Sequence, residues 1–184
     1  IPLRLVGSEM CIRDRGTFEE IRYEGFGPAG TSIIVEALTD NRNRSAADVR
    51  AIFQKNGGNF AESGSVSHQF TRYGFLKYPI SISSQDDFFS SAIESGAEDC
   101  LFEDDCFEAL CSTDNLSIFY SSLEKIFGEP ESSGFLWKPS SLIEVTGEKV
   151  KTLFSLLDEL DDNEDVQSVF SNYDISDEDI STLA

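Results

Sequence analysis

Apolar residues recur along this chain with two different periods, and their alternation predicts a protein that mixes strands and helices. Residues 17–23 and 32–38 are predicted as strands joined by a glycine-rich hairpin loop, and the second run is β-branched and apolar. Helical spacing follows over 45–57, with Ser45 as the predicted N-cap. A third strand is predicted over 65–70, before the pattern starts again.

The second part of the chain contains a complete βαββαβ order. The pattern restarts at Gly74 and predicts strands, helices and turns in the order of a ferredoxin-like unit. The predicted strands cover 75–82, 99–103, 107–111 and 134–138, and the predicted helices cover 88–96 and 114–127. The chain then continues with a predicted strand over 142–145, a helix over 150–160 and a strand over 166–173.

These elements predict an α+β fold made of two α/β sandwich domains, the second a ferredoxin-like insert within the first. Residues 16–72 and 139–176 are expected to form one discontinuous domain, and residues 73–138 the inserted domain. Residues 1–15 resemble translated adapter read-through, so they are interpreted as a non-native leader and excluded from the fold. Residues 177–184 are expected to be an acidic, frayed tail.

The charge distribution limits where a polyanion can bind. The chain has 14 Lys and Arg against 34 Asp and Glu, a net charge of −20. Phosphate binding needs cations that displace counterions, so the chain as a whole is a poor nucleic-acid ligand. The exception is 16–72, which holds 6 basic and 7 acidic residues, whereas 73–138 and 139–184 each carry a net −10.

Cysteine usage and hydropathy indicate a soluble protein in a reducing compartment. Cys100, Cys106 and Cys111 form an odd set without a CxxC pair, so we expect structural thiols, with a metal site as the less favoured alternative. No cofactor is expected. No apolar run approaches the roughly 20 residues that span a bilayer. The expected location is the cytoplasm, or alternatively the mitochondrial matrix.

The only basic cluster outside the leader lies around the first predicted helix. Two cations just before a helix N-terminus oppose the helix dipole, and a bound anion would reverse that cost. The alternative is local ion pairing with Glu24, Glu36 or Asp40. The candidate nucleic-acid-binding residues are Asn41, Arg42, Asn43, Arg44, Arg50 and Lys55.

No pattern indicates catalysis. Gly25, Gly27 and Gly30 have GxGxxG spacing, but a strand follows and Pro28 removes one donor, so a turn is favoured over a nucleotide site. His68, the only histidine, lies in a predicted strand without a partner acid fixed by the sequence. We therefore predict that the protein is not an enzyme.

Five motifs follow one another along the chain: Tyr23–Arg44, Phe53–Asn59, Gly64–Val66, Glu94–Asp99 and Asp165–Asn172. In order and spacing these motifs resemble those of the YebC/PmpR family. Members of that family are described as probable transcriptional regulators and include mitochondrial translational activators of cytochrome oxidase subunit I. The resemblance covers about 16–174 and implies the same discontinuous arrangement of domains. The family begins with a basic, helical N-terminal domain, and we expect this chain to lack nearly all of it.

The resemblance implies a regulator of gene expression and leaves its target open. One mechanism is action on translating ribosomes or RNA, and the alternative is sequence-specific DNA binding in transcription. The sequence shows no helix-turn-helix with a basic recognition helix, which favours the first. A second alternative is a protein-interaction module whose acidic faces bind basic proteins. Binding to nucleic acid or the ribosome is expected to need the N-terminal domain, and no membrane partner is expected.

Overall fold

The computed structural model describes residues 18–182, so the predicted leader over 1–15 lies outside the described residues. The described chain forms two compact units. We call residues 72–137 the insert unit, and residues 18–71 together with 138–182 the outer unit.

Strands and helices alternate through both units. The strands are β1 Glu19–Phe26, β2 Ser32–Thr39, β3 Asn59–Ala61, β4 Phe70–Pro79, β5 Asp99–Phe102, β6 Cys106–Ser112, β7 Ser132–Pro139, β8 Ile143–Glu144, β9 Val166–Ser171 and β10 Tyr173–Asp174. The helices are α1 Arg42–Lys55, α2 Gln85–Glu94, α3 Leu116–Phe127, α4 Glu148–Asp161 and α5 Asp177–Ser181. Short 3-10 turns cover Pro28–Gly30, Ser67–Gln69, Ile80–Ile82 and Thr113–Asn115.

The outer unit packs α1 and α4 on one face of a four-stranded sheet of order β3-β1-β2-β9. Side chains alternate across a strand, so Ile33, Val35 and Ala37 of β2 enter the core between the sheet and these helices. The helices contribute fully buried residues to the same core, among them Val49, Phe53, Leu153, Leu156 and Leu160. The pairings of β1 with β2, β1 with β3 and β2 with β9 are antiparallel.

The insert unit has the sheet order β5-β6-β4-β7, which is the order of a ferredoxin-like fold. Its core lies between the sheet and the helices α2 and α3. Buried residues of that core include Leu76, Tyr78, Phe88, Phe119 and Leu123. The predicted α+β class with two sheet bodies is confirmed.

The predicted third strand over 65–70 is wrong. β3 is a three-residue strand over Asn59–Ala61, and the segment after it runs as a loop into a 3-10 turn that contains His68. Backbone N–H groups of this loop bind the buried carboxylate of Glu24 instead of a neighbouring strand. Glu24 is paired in register with Ile34, on the sheet face opposite the α1 and α4 core, so the loop covers that second face.

The predicted N-cap of the first helix is also wrong. α1 begins at Arg42, and the Asn41 side chain accepts a hydrogen bond from the Arg44 backbone N–H at 3.1 Å. Ser45 is fully buried inside the helix, close to its first turn. The arginines of the basic cluster therefore lie in the first helical turn, not ahead of it.

Two differences occur near the end of the described chain. The predicted strand over 166–173 divides into β9 and β10 at Asn172, whose side chain bonds to the backbone of β2. The expected frayed tail contains the single-turn helix α5, capped by the Ser176 side chain. Within 18–182, no helix combines the length and apolarity needed to cross a membrane.

Candidate nucleic-acid interface

The helix α1 carries the basic candidates and divides them between two flanks. At about 100° per residue, Arg44 and Lys55 lie roughly 20° apart around the helix axis. Arg42 and Arg50 lie about 80° apart by the same geometry and point away from that pair. The two sets of cations thus meet different surroundings.

Arg44 lies in a network of carboxylates. Its Nη2 donates to Asp40 Oδ1 at 2.9 Å and to both carboxylate oxygens of Asp165, at 3.0 and 3.2 Å. Hydrogen bonds to Asp165 and then Asp40 raise the pKa of the Arg44 guanidinium above its ordinary value. Asp40 was among the acids expected to pair with this cluster, whereas Asp165 was not expected.

Asp165 joins three segments of the outer unit. Its carboxylate is largely buried, with the residue 9% exposed, and accepts the Thr39 hydroxyl at 3.0 Å as well as the Arg44 guanidinium. Its backbone carbonyl accepts the Leu38 N–H at 2.8 Å. The end of β2, the first turn of α1 and the turn before β9 are therefore held at one carboxylate.

Lys55 is also paired on this flank. Its Nζ lies 2.9 Å from Glu159 Oε1 on α4, and this bond lowers the pKa of the Glu159 carboxyl. The acids of α4 and of the turn after it thus neutralise Arg44 and Lys55. We call this the paired flank.

The opposite flank leaves its cations open to a ligand. Arg42 Nη1 lies 3.9 Å from Glu19 Oε2, near the limit of an ion pair, and the Arg42 side chain is 69% exposed. The Arg50 guanidinium lies over the Phe60 ring at 5.1 Å from its centroid. We call Arg42, Asn43, Arg50 and Phe60 the Arg42 flank.

The Phe60 ring of the Arg42 flank packs against two other aromatic rings. Phe60 lies 5.7 Å from the Tyr23 ring and 6.3 Å from the Phe53 ring, measured between centroids. Gly25 permits this packing, because a Cβ there would come within 2.6 Å of the Phe53 ring. Phe60 of the edge strand β3 and Arg50 of α1 thus form a cation–π pair.

The structure separates the six predicted residues by role. Asn41 is used as the helix cap, Arg44 and Lys55 lie on the paired flank, and the other three, Arg42, Asn43 and Arg50, remain exposed on the other side. Sequence reasoning missed Phe60, Asp165 and Glu159. Asp165 could have been identified from the sequence, because it is the first residue of one of the motifs that resemble the family. Phe60 lies in a three-residue strand, which is too short to give a periodic sequence pattern.

A second group of side chains has the composition of a metal site. Glu103, Asp105 and Cys106 offer ligand atoms within 4.8 Å of one another. The Cys106 thiol lies 3.6 Å from the Glu103 carboxylate, and the Lys77 ammonium beside this thiol has a raised pKa. The positive charge of Lys77 beside these candidate ligands repels a metal ion, which disfavours a metal site there.

The cysteines of the described chain are buried free thiols. Burial and nearby carboxylates raise the pKa of Cys100 and of Cys111 to about 11. A thiol with so high a pKa is protonated at neutral pH and is a weak nucleophile. Both belong to the core of the insert unit.

The family model and the similar proteins agree on one family. Residues 18–173 match the family model described as "TACO1/YebC second and third domain". A "probable transcriptional regulatory protein" of Maricaulis maris is 47% identical over 176 residues, which cover 92% of this chain and 70% of that protein. One of Zymomonas mobilis is also 47% identical, over 90% of this chain and 66% of the relative.

A solved structure shares the fold. The crystal structure of a conserved hypothetical protein from Aquifex aeolicus superimposes with a TM-score of 0.82 at 36% sequence identity. The match covers 88% of this chain and 67% of that one. The chain thus spans about two thirds of the length of these relatives.

Proposed function

We propose that this chain is a non-enzymatic regulator of gene expression that acts on RNA or the ribosome. The chain belongs to the TACO1/YebC family, and its relatives are named probable transcriptional regulatory proteins. The proposed contact surface is the Arg42 flank. Because the relatives are longer, the remainder of such a protein is expected to contribute to binding.

The observation that carries this proposal is the unequal neutralisation of the α1 cations. Arg44 and Lys55 are held by short ion pairs at 3.0 and 2.9 Å, and a phosphate would have to displace an acid from either one. Arg42 makes only a long contact with a half-exposed acid, so a phosphate can approach it at little cost. The Arg42 flank is therefore the favoured position for a polyanion.

The cation–π pair of Arg50 and Phe60 favours RNA over duplex DNA. Single-stranded RNA is bound through unstacked bases that lie on aromatic rings and guanidinium planes, together with cations that follow the backbone. Arg50 and Phe60 provide such a platform beside the cation of Arg42. A duplex keeps its bases paired and stacked inside the helix, so it offers no free base face to this platform.

The alternative function is sequence-specific DNA binding, which is one way in which a probable transcriptional regulatory protein, as the relatives are named, could act. Major-groove reading uses a helix whose exposed face presents side chains to base edges. On α1 that face includes Arg44 and Lys55, which are already held by carboxylates. This arrangement makes DNA reading by α1 the less favoured function.

The test is a binding titration of the full-length gene product with ribosomes and, separately, with duplex promoter DNA. The variant is R42Q/R50Q, and the matched control is K149Q/K151Q, which removes the same charge from exposed positions of α4. We expect at least tenfold weaker ribosome binding for R42Q/R50Q only. Its salt dependence should flatten by about 0.7 in the slope of log K against log salt for each of the two arginines that contacts a phosphate.

Two results would contradict this proposal. If ribosome affinity and salt slope are the same for R42Q/R50Q as for the wild type, the arginines do not contact phosphate. If instead promoter DNA binds more tightly than ribosomes and loses affinity with R42Q/R50Q, the flank serves transcription. A thermal melt of both variants establishes that each is folded.

A further inference from the structure

Of the strands that the structure describes, β7 is the longer and less charged edge of the sheet in the insert unit. In the order β5-β6-β4-β7, the two edge strands are β5 and β7. β5 has four residues and begins with Asp99, and short strands and charges are the usual protection of an edge. β7 has eight residues, and its first six, Ser132–Trp137, include no charged residue.

A groove runs between this edge strand and the helix α3. Its volume is about 430 Å³, and its lining is Thr113, Asp114, Leu116, Ser117, Tyr120, Ser121, Ser133 and Phe135. Ser133 and Phe135 are two positions apart on β7, so they face the same side of the sheet as the helix. An extended chain added beside β7 would direct every second side chain into this groove.

The charge of the unit determines what kind of chain fits. Residues 72–137 contain 3 basic and 13 acidic residues, a net −10. Asp114 lines the groove itself, and burial together with Glu124 and Glu129 raises the pKa of the Tyr120 hydroxyl within it. The groove is therefore a negative environment in which basic side chains are stabilised.

RNA is the other candidate occupant, because the Arg72 guanidinium lies 4.6 Å from the Phe135 ring centroid and 5.9 Å from that of Trp137. The contact is of the same kind as that of Arg50 with Phe60, but here the surrounding unit carries a net charge of −10. RNA phosphates would enter the field of that unit with little counterion release in return. A basic peptide avoids this cost.

From these observations we infer that the edge strand β7 and the α3 groove form a docking site for a basic, extended polypeptide segment of a partner protein, bound by strand addition. Main-chain hydrogen bonds to β7 would supply affinity, and the groove would select alternating side chains. This site is separate from the Arg42 flank and does not rest on the function proposed above.

The test uses two labelled peptides of alternating pattern, a Lys-Val repeat and a Glu-Val repeat of equal length, with the 184-residue chain. We expect the basic peptide to bind at least tenfold more tightly, with amide shifts in NMR spectra at Ser132–Leu136 and at Thr113–Ser121. Ser121→Arg and Ser117→Arg each place a cation in the groove and should weaken binding at least tenfold. The matched control is Ile118→Arg, at a 70% exposed position that does not line the groove, and it should change affinity less than twofold.

Three outcomes would overturn the inference. One is the absence of basic-peptide binding. Another is an equal loss in the groove variants and in Ile118→Arg, which would indicate attraction to the acidic surface at large. The third is an oligouridylate that binds more tightly than the basic peptide and shifts the same amides, which would assign the groove to RNA. A thermal melt selects between the two groove variants if one of them unfolds.

Discussion

Replacing Glu24 by Gln should destabilise the outer unit, because its carboxylate is the anchor of the loop that covers the second sheet face. The residue is 1% exposed and accepts backbone N–H bonds from Gly64 at 2.6 Å, Val66 at 3.0 Å and Ser67 at 2.6 Å. The amide of Gln has one acceptor oxygen, so at least one of the three backbone donors loses its partner, at about 1–3 kcal/mol. The remaining bonds also lose their charge, so we expect a total loss of about 2–4 kcal/mol.

The loss should depend on pH with a definite sign. Burial raises the pKa of Glu24, but the three backbone donors and Arg22 outweigh it, so the pKa is lowered from 4.5. A carboxyl with a depressed pKa contributes its stability above the unfolded pKa and loses it as the pH falls through the folded pKa. The difference between wild type and Glu24→Gln should therefore be full at pH 7 and shrink below about pH 4.5.

The assay is chemical denaturation of both proteins between pH 7 and pH 3. The matched control is Glu62→Gln, an exposed acid at the start of the same loop, for which we expect a change within about 0.5 kcal/mol. A loss for Glu24→Gln below about 1 kcal/mol at pH 7 would show that the carboxylate does not hold the loop. A loss that stays constant down to pH 3 would show that the effect is not electrostatic.

Other predictions test single contacts. Phe119→Ala, at a position 1% exposed, should cost roughly 3–5 kcal/mol in chemical denaturation, and a loss below about 1 kcal/mol would mean that α3 does not pack as described. Asp165→Asn should cost about 1–3 kcal/mol, because the Arg44 guanidinium loses its buried partner, and an unchanged melting temperature would contradict this. The sequence has a fourth cysteine, Cys11, outside the described residues. With Cys11 replaced by Ser, the native chain should not react with a disulfide reagent at pH 7, since Cys100, Cys106 and Cys111 are buried and burial raises the pKa of each thiol. Rapid reaction without denaturant would refute that prediction.

The elements that sequence analysis predicted well are those whose signal is local and periodic. α3 repeats its apolar residues at helical spacing and ends at Gly128, which has a positive φ of 83°, so the predicted helix over 114–127 differs little from Leu116–Phe127. The βαββαβ order of the insert unit follows from the same kind of pattern. Each such element can be identified from its own dozen residues, without knowing its neighbours.

The errors occur where one polar side chain determines the backbone from a distance. Asn41 and Ser45 are both competent helix caps, and the choice between them depends on which one the core buries. Glu24 binds a loop about 40 residues further along the chain, and its bonds replace the strand that was predicted there. Such long-range bonds have no period, so no pattern of apolar positions predicts them.

The same distinction limits the inference of the binding surface from the sequence. A cluster of six polar or basic residues was visible, but its division depended on Asp165 and Glu159, which lie more than 100 positions away. Without those acids all four cations appear equivalent. Their placement is what reduces the candidate surface to the Arg42 flank.

The ordered motifs by which the family is identified mostly maintain the outer unit. Glu24 binds the Gly64–Ser67 segment, Asp165 binds Thr39 and Arg44, and Asn172 accepts the Ser32 backbone N–H at 2.7 Å. Each bond joins two segments that are far apart in sequence. The match of these residues to the family therefore indicates a shared fold and does not by itself indicate a shared function. A regulatory function has to be carried by exposed side chains that these bonds do not use. Arg42, Asn43 and Arg50 meet that condition, and so does the edge of β7, which is why the two proposed experiments are directed there.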